Sequence, residues 1–205
     1  MKALESVLAA LALSLLTVEA GIAGQITGGS VGLASPASTI TFEEVALAQD
    51  AAVTTQFAAY GAVFSGLGID TGNVYGGMGA TGFTGGSYVY SNIGAATTPV
   101  VISFNSPVSA AAIAAVDQGN TFTVSAYLGG VGGTLVDTFD ISIPFEPGLG
   151  FIGFTNEVFD TMTIQGSGAL GLDTLESNSA VPEPGTVLLI GLGLIALAAR
   201  RRATR

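Results

Sequence analysis

Carboxylates are the only side chains in most of this chain that can carry acid–base chemistry or bind a metal ion. Between residues 3 and 199 the sequence has no Lys, Arg or His, and Cys is absent throughout, whereas all fifteen Asp and Glu residues fall in that stretch. Nucleophilic sites of the Ser-His-Asp, Cys-His and Ser-Lys types and His-based zinc sites therefore lack their parts. Direct binding to nucleic acid is excluded as well, because no cation in this stretch can neutralise phosphate.

Acidic residues near the two ends of the central region form the strongest candidate for a metal site. Glu43 and Glu44 follow Phe42, and Asp173 lies near the end of the region. The first and last strands of a β-sandwich are often neighbours, so we expect these carboxylates to meet. Calcium takes about six to eight oxygen ligands and mixes carboxylates with main-chain carbonyls. Two interpretations stay open: a structural calcium site, or a solvated sheet edge whose charges discourage strand pairing.

A hydrolase that works with two carboxylates is the least favoured function. Glycoside hydrolysis needs two carboxyl groups about 5–10 Å apart, one of them with a raised pKa, and so many acids make such a pair unspecific. The chain also lacks Trp, the usual residue for stacking on sugars. The run Asp70-Thr71-Gly72 has the form found in aspartic proteases, but those enzymes need two such carboxylates and this chain has one run. We expect a protein that is not an enzyme.

Three tyrosines are the candidate ligand-binding residues. Tyr75, Tyr88 and Tyr90 flank a Gly-rich segment, residues 76–86, which composition marks as a flexible loop. Their rings could stack on a sugar while their hydroxyls form hydrogen bonds. The alternative is that the rings are half-buried packing elements of the sandwich.

The elements that must position these residues are short strands. Residues 121–128 and 135–143 alternate apolar with polar side chains, and Gly, Pro or Asn separates most of the candidate strands. Residues 51–60 differ, because Val53, Phe57 and Tyr60 are spaced as one face of a short helix. The fold class is therefore all-β: a single antiparallel β-sandwich, with an N-terminal signal helix and a C-terminal hydrophobic helix.

Both termini look like targeting segments. Residues 1–23 have a basic start at Lys2, an apolar run and small residues before cuts after Ala20 or Ala23, the pattern read by signal peptidase. Residues 24–176 form the cargo domain, residues 177–180 a polar linker, and residues 181–205 a sorting or transmembrane segment. The apolar run 186–199 reaches only ~21 Å as a helix, against ~30 Å of hydrocarbon, which is a marginal span. The arginines after it predict a cytoplasmic C-terminus.

The C-terminal segment closely resembles the PEP-CTERM sorting signal, also described as the ice-binding protein C-terminal domain. The order, spacing and terminal position of its parts all match. The residues that carry the resemblance are Val181, Pro182, Glu183, Pro184 and Gly185, followed after the apolar run by Arg200, Arg201 and Arg202. The resemblance implies an exported protein of a Gram-negative bacterium, recognised near the Pro-Glu-Pro segment and cleaved there by a membrane-embedded exosortase. Such cargo is associated with exopolysaccharide and the cell surface.

The cargo domain resembles the jelly-roll-like β-sandwich of many such proteins. The likeness lies in residues 41–45, 56–64, 99–108 and 151–160. Related jelly-roll carbohydrate-binding modules place a structural calcium between an early Phe-Glu and a late Asp, which implies Glu43 and Asp173 as the ligands here. Where the family usually ends in Ile-Asp-Asn-Leu, this chain has Leu172-Asp173-Thr174-Leu175, so the Asn is lost.

These observations predict a non-enzymatic exported protein with a structural or adhesive role. It would be transiently anchored in the inner membrane by the C-terminal helix and finally reside at the cell surface or outside the cell. The alternative is a carbohydrate-binding module for a neutral exopolysaccharide. The partners expected are an exosortase, signal peptidase and an exopolysaccharide, with no nucleic acid.

Overall fold

The computed structural model of the chain describes residues 24–29, 31–72, 80–93, 98–117, 119–143 and 150–180. Residues 23–180 form one compact unit. Within the described residues the only helix is a short 3-10 turn, Ala58–Tyr60, and all other regular elements are strands. The strands are β1 (Gly24–Thr27), β2 (Ser38–Ile40), β3 (Ala52–Val53), β4 (Ala62–Ser65), β5 (Leu67–Asp70), β6 (Tyr88–Ile93), β7 (Val100–Val116), β8 (Thr121–Leu128), β9 (Thr134–Ser142), β10 (Gly150–Gly166) and β11 (Gly168–Ser179).

The strands join in one continuous antiparallel sheet. Its main order is β3-β5-β6-β11-β7-β10-β8-β9, and β1, β2 and β4 pair at the side with β10, β11 and β7. The side chain of Gln25 in β1 donates hydrogen bonds to the carboxylate of Asp137 in β9, at 3.1 and 3.0 Å. Strands β1 and β9, which are not paired with each other, therefore meet through their side chains. The all-β, antiparallel fold class is confirmed.

Two long strands, β7 and β10, build the centre of the sheet and divide into halves. Val100 to Phe104 of β7 face β4 and the second half of β10, whereas Ala110 to Val116 face β11 and the first half of β10. The pairing of β10 with β7 shifts between Thr155 and Phe159, and Asn156 there has a φ of 60°. This bulge lets one strand take part in two differently oriented regions of the sheet.

One large apolar core lies inside the sheet. It contains side chains from β2 to β8, β10 and β11, and its largest fully buried members are Phe, Ile and Met side chains. Phe42 packs edge-to-face against Phe57 and Phe64, with ring centroids 5.2 and 5.4 Å apart. A chain without internal cations or disulfides relies on this burial for its stability.

A second, smaller core covers the other face of the central strands. Ala112 and Ala114 of β7 pack there with Phe151, Phe83 and Tyr88. Gly82 has a φ of 82°, and a Cβ at this position would lie 2.5 Å from the Cβ of Ala114. Only glycine lets the segment 80–87 lie this close to β7. From residue 80 onward, the segment predicted to be a flexible loop is therefore packed against β7. We call residues 80–87 the strap.

Two sequence-based boundaries differ from the structure. Residues 177–179, predicted to belong to a linker, continue β11, because Ser177 pairs with Ala111 and Ser179 with Val108. Residues 51–60 form β3 and the 3-10 turn in place of a helix with one apolar face, and Tyr60 is 40% exposed. A helix of this length has marginal stability by itself. The segment instead forms a strand and a turn, which together bury the side chains of Val53 and Phe57.

The two predicted terminal helices lie outside the described residues. So do the signal segment 1–23 and all residues of the predicted sorting motif from Val181 onward. In the part of the chain that the structure does describe, no helix has the length and apolar character needed to cross a membrane.

Candidate functional site

Asp173 lies at the centre of the most unusual polar cluster in the domain. Its side chain is fully buried, at 0% exposure. Oδ1 accepts a hydrogen bond from the N–H of Thr174 at 2.7 Å, and Oδ2 accepts one from the N–H of Thr84 at 2.8 Å. The register of β11 against β7 shifts at this point, and Thr174 has a φ of 41°. The bulge thus accompanies a carboxylate that binds the strap, residues 80–87.

Glu43 and Glu44 approach the same region from the start of the domain. They follow Phe42, whose φ of 63° turns the chain while its ring stays in the core. The carboxylate of Glu43 accepts a short hydrogen bond from the N–H of Ser87. Oε1 of Glu44 accepts hydrogen bonds from the N–H and the hydroxyl of Thr41, at 2.8 and 3.0 Å. Its Oε2 is buried and has no hydrogen-bond partner.

The electrostatics of this cluster oppose a full set of negative charges. Burial raises the pKa of Asp173 to about 7, although the N–H groups of Thr174 and Thr84 lower it, and the charges of Glu43 and Glu44 raise it further. Glu43 and Glu44 therefore lie close enough to Asp173 for their charges to act on its carboxyl group. A proton or an external cation would relieve their repulsion, because the domain has no cation of its own.

The predicted calcium ligands, Glu43 and Asp173, both hold main-chain N–H groups of the strap. No group of three or more acidic side chains among the described residues is arranged to hold a metal ion. In this cluster, Oε2 of Glu44 is the buried carboxylate oxygen that has no hydrogen-bond partner and could therefore contact a cation. Calcium at Glu43 and Asp173 stays a prediction.

The tyrosines predicted to bind a ligand have different environments. Tyr75 lies outside the described residues. Tyr88 is only 6% exposed, packs against Phe83 at a centroid distance of 6.2 Å, and donates its hydroxyl hydrogen to Asp70 at 2.9 Å. Packing therefore accounts for Tyr88, as the alternative interpretation holds.

Tyr90 remains partly exposed at the neighbouring position of the same strand face. Its hydroxyl donates to Oδ1 of Asp50 at 2.9 Å, and its ring lies over Gly68. The hydrogen bond to Asp50, slight burial and the charges of Asp50 and Asp70 together raise the pKa of Tyr90. The exposed part of its ring therefore borders two carboxylates, which is a surface of hydrogen-bond acceptors.

Other carboxylates serve as tethers for loops, a role that the sequence reasoning missed. Asp160 accepts hydrogen bonds from the N–H groups of Gly129 and Gly130, at 2.7 and 3.0 Å, and from the hydroxyl of Thr161. Burial opposes ionisation of Asp160, but these donors outweigh it and hold the pKa of its carboxyl below the usual value. Nothing in the sequence indicates these contacts, because Gly129 and Gly130 donate only main-chain N–H groups and lie 30 residues or more from Asp160.

Two further acids follow the same pattern. Oε2 of Glu176 accepts a hydrogen bond from the N–H of Leu33 at 2.6 Å, across 143 residues of sequence. Asp117, fully buried, accepts two from Asn120, each at 2.8 Å. Among the described residues the carboxylates thus replace salt bridges with hydrogen bonds from main-chain and neutral donors.

The segment after the last strand matches a known family model. Residues 180–202 match the model of the PEP-CTERM protein-sorting motif. The chain carries a PEP-CTERM sorting motif. This match confirms the resemblance drawn from the Pro-Glu-Pro segment, the apolar run and the arginines. A PEP-CTERM motif implies exosortase-dependent export and sorting through the membrane to the cell surface.

Comparisons of the whole chain add little beyond the PEP-CTERM motif. A comparison with curated protein sequences found no match. Among solved structures, the chain is similar to the carbohydrate-binding module CsCBM6-3 from Clostridium stercorarium, solved in complex with cellobiose. The identity is 15%, the TM-score is 0.35, and the likeness covers 70% of this chain and 94% of that one.

Proposed function

We propose that this chain is a non-enzymatic structural or adhesive protein of a Gram-negative cell surface or extracellular matrix, sorted and processed by an exosortase. One observation supports the non-catalytic part. Apart from tyrosines, the carboxylates are the only acid–base groups of the domain, and those of Asp173, Asp160 and Glu176 accept hydrogen bonds that tie loops to strands. A catalytic pair would need carboxyl groups free to meet a substrate.

The sorting part of the proposal rests on the PEP-CTERM motif. Its test is the variant Glu183→Ala, expressed in a host that has an exosortase. We expect full-length precursor to accumulate in the membrane fraction, while the unaltered chain appears as a shorter surface product. Normal processing of Glu183→Ala would contradict the assignment.

A second candidate function is binding of a neutral exopolysaccharide at Tyr90. The partly exposed ring beside Asp50 and Asp70 supports it. An aromatic face suits the apolar side of a sugar ring, and carboxylates accept hydrogen bonds from sugar hydroxyls. The same charges repel anionic glycans. A glycan array probed with the protein tests this function, with saturable binding to neutral glycans as the expected result.

We also propose that calcium stabilises the domain at Glu43 and Asp173. The support is electrostatic: the charges of Glu43 and Glu44 raise the pKa of Asp173, and one buried oxygen of Glu44 has no hydrogen-bond partner. When bound, calcium would supply the positive charge that the chain does not contain. Glu43 and Asp173 would hold the ion while their hydrogen bonds keep the strap in place.

A further inference from the structure

Asp117 is a fully buried acid of which one carboxylate oxygen has no partner. The residue follows Val116, the last residue of β7, and its side chain is 0% exposed. Oδ2 accepts hydrogen bonds from the main-chain N–H and from the side-chain amide of Asn120, each at 2.8 Å. Oδ1 is buried and has no hydrogen-bond partner. One oxygen of the carboxylate is therefore bonded twice, and the other is not bonded at all.

The burial of Asp117 sets it apart from the other acids with an unpartnered oxygen. Among the described residues, Oε2 of Glu44 and Oε2 of Glu157 also lack a hydrogen-bond partner, but those two side chains are only partly buried. Asp117 has no exposed surface at which water could replace the missing partner. A buried charged oxygen without a partner is strongly destabilising, so its presence points to a group that binds there.

A glycine brings the main chain of β11 next to this carboxylate. Gly168, the first residue of β11, has a φ of 134°. A Cβ at Gly168 would lie 2.3 Å from Nδ2 of Asn120 and 3.2 Å from Oδ1 of Asp117. No side chain of residue 168 therefore separates Oδ1 from the main chain at the start of β11. The end of β7 and the starts of β8 and β11 meet around the unpartnered oxygen.

Main-chain hydrogen bonds hold the carboxylate in this position. The N–H of Gly119 donates to the carbonyl oxygen of Ile143 at 3.0 Å, and the N–H of Ile143 donates to that of Asn120 at 3.0 Å. Asp117 can turn Oδ1 away only by breaking its two hydrogen bonds to Asn120. Gly119 is exposed, so the loop that carries the buried carboxylate reaches the protein surface.

We propose that Oδ1 of Asp117 is a ligand of a calcium ion, at a site separate from Glu43 and Asp173. The chain has no cation between residues 3 and 199, so a positive partner for this oxygen comes from solution. Calcium combines carboxylate oxygens with main-chain carbonyls and water, and such groups border a loop between strands. The charges that act on Asp173 are those of Glu43 and Glu44, and Asp117 is not among them.

This site binds calcium more weakly than Glu43 and Asp173 would. Calcium affinity depends on the number of charged ligands, and extracellular modules bind the ion with dissociation constants of about 10⁻⁴–10⁻³ M. Asp117 supplies one carboxylate, whereas the other predicted site supplies two. The two sites therefore fill at different calcium concentrations. The ion at Asp117 would tie the end of β7 to the starts of β8 and β11.

Thermal unfolding of full-length Asp173→Asn isolates the second site, because this variant lacks a ligand of the first. At ~20 mM calcium and a Kd of ~1 mM, we expect a Tm about 4–7 °C above that measured with a chelator. Magnesium at the same concentration gives up its water reluctantly and reports general screening of the acidic domain, so its shift should be smaller.

Two double variants locate the calcium effect. Adding Asp117→Asn to Asp173→Asn should reduce the calcium shift to the magnesium value. Adding Asp140→Asn, at an exposed position, is the matched control and should keep the full shift. Equal calcium shifts in the two double variants would overturn the proposal. So would the absence of any calcium shift in Asp173→Asn at ~20 mM, an outcome that leaves the site at Glu43 and Asp173 standing.

A crystallographic measurement decides the question if Asp117→Asn does not fold. Crystals of Asp173→Asn are soaked in a lanthanide, which replaces calcium and scatters anomalously. We expect an anomalous peak at about 2.3–2.6 Å from Oδ1 of Asp117. A water molecule alone at this position, or anomalous peaks only elsewhere, would overturn the proposal.

Discussion

The carboxylate of Asp173 binds the main-chain N–H of Thr84 at 2.8 Å, across 89 residues of sequence. This contact joins the last strand to the strap, residues 80–87, that covers the second core. It does so with a fully buried acid in a domain that has no cation to balance it. The stability of the domain therefore depends on whether the carboxyl group of Asp173 is protonated.

The first prediction is that the domain loses stability as pH rises through neutrality. The pKa of Asp173 is about 7 in the folded chain, against about 3.9 for Asp in an unfolded one. The folded state thus keeps the proton to higher pH, so this group's contribution is complete below about pH 4 and declines as pH rises to about 7 and slightly beyond. Urea unfolding of the protein with a chelator present, at pH 4.5 to 8, measures it.

Asp173→Asn isolates the effect of that carboxyl from those of other acids. We expect a lower stability at acid pH and a flatter slope between pH 4.5 and 8, because the variant has no proton to lose. Asp140→Asn, on an exposed position, is the matched control and should keep the slope of the unaltered chain. Equal slopes for Asp173→Asn and the unaltered chain would exclude Asp173 as the source.

The second prediction concerns calcium. If Glu43 and Asp173 hold the ion, calcium at ~100 times its Kd raises the free energy of unfolding by about 2.7 kcal/mol. Calorimetry at pH 8, with calcium or with a chelator, should show a higher Tm with the ion. The difference should vanish in Asp173→Asn. Identical Tm values for the unaltered chain under both conditions would dispose of the site.

The third prediction is that Gly82 cannot be replaced. A Cβ there would lie 2.5 Å from the Cβ of Ala114 and 2.8 Å from the ring of Phe151, at a φ of 82°. We expect Gly82→Ala to cost about 1–3 kcal/mol of stability through overpacking and backbone strain. No atom lies within 4 Å of the corresponding position at Gly86, so Gly86→Ala is the control. Equal urea midpoints for the two variants would contradict the packing of the strap.

The fourth prediction separates the two proposed functions. If the domain binds a neutral glycan at Tyr90, Tyr90→Ala should weaken binding about tenfold, consistent with about 1.4 kcal/mol lost from one aromatic contact. Tyr60→Ala, which removes a tyrosine that is 40% exposed, should bind normally. A protein that binds no glycan on the array loses the second function and keeps the first.

The sequence predicts the fold class well, because a strand with one buried face alternates apolar and polar side chains in any all-β fold. It fails on strand length. Asn105, Ser106 and Pro107 look like a turn between two strands, yet β7 continues through them. They are exposed and lie where the pairing of β7 with β10 shifts between Phe159 and Thr161, an irregularity at which turn-forming residues are tolerated. The turn-forming residues therefore mark an irregularity within β7 rather than the end of the strand.

The candidate site is predictable only in part. Proximity of Glu43 and Asp173 follows from the pairing of β2 with β11, in which Ile40 lies opposite Leu175. Their partners, the N–H groups of Ser87 and Thr84, do not, because main-chain donors carry no residue-specific signal. The burial of Tyr88 is likewise invisible in the sequence, since it depends on Phe83 packing from the strap.

Mass spectrometry of the protein recovered from the surface and medium of its native cells tests the central claim most directly. The account predicts a product that begins after Ala20 or Ala23 and ends near the PEP-CTERM motif, without Arg200 to Arg205. An intact chain of 205 residues found in the cytosol would contradict it.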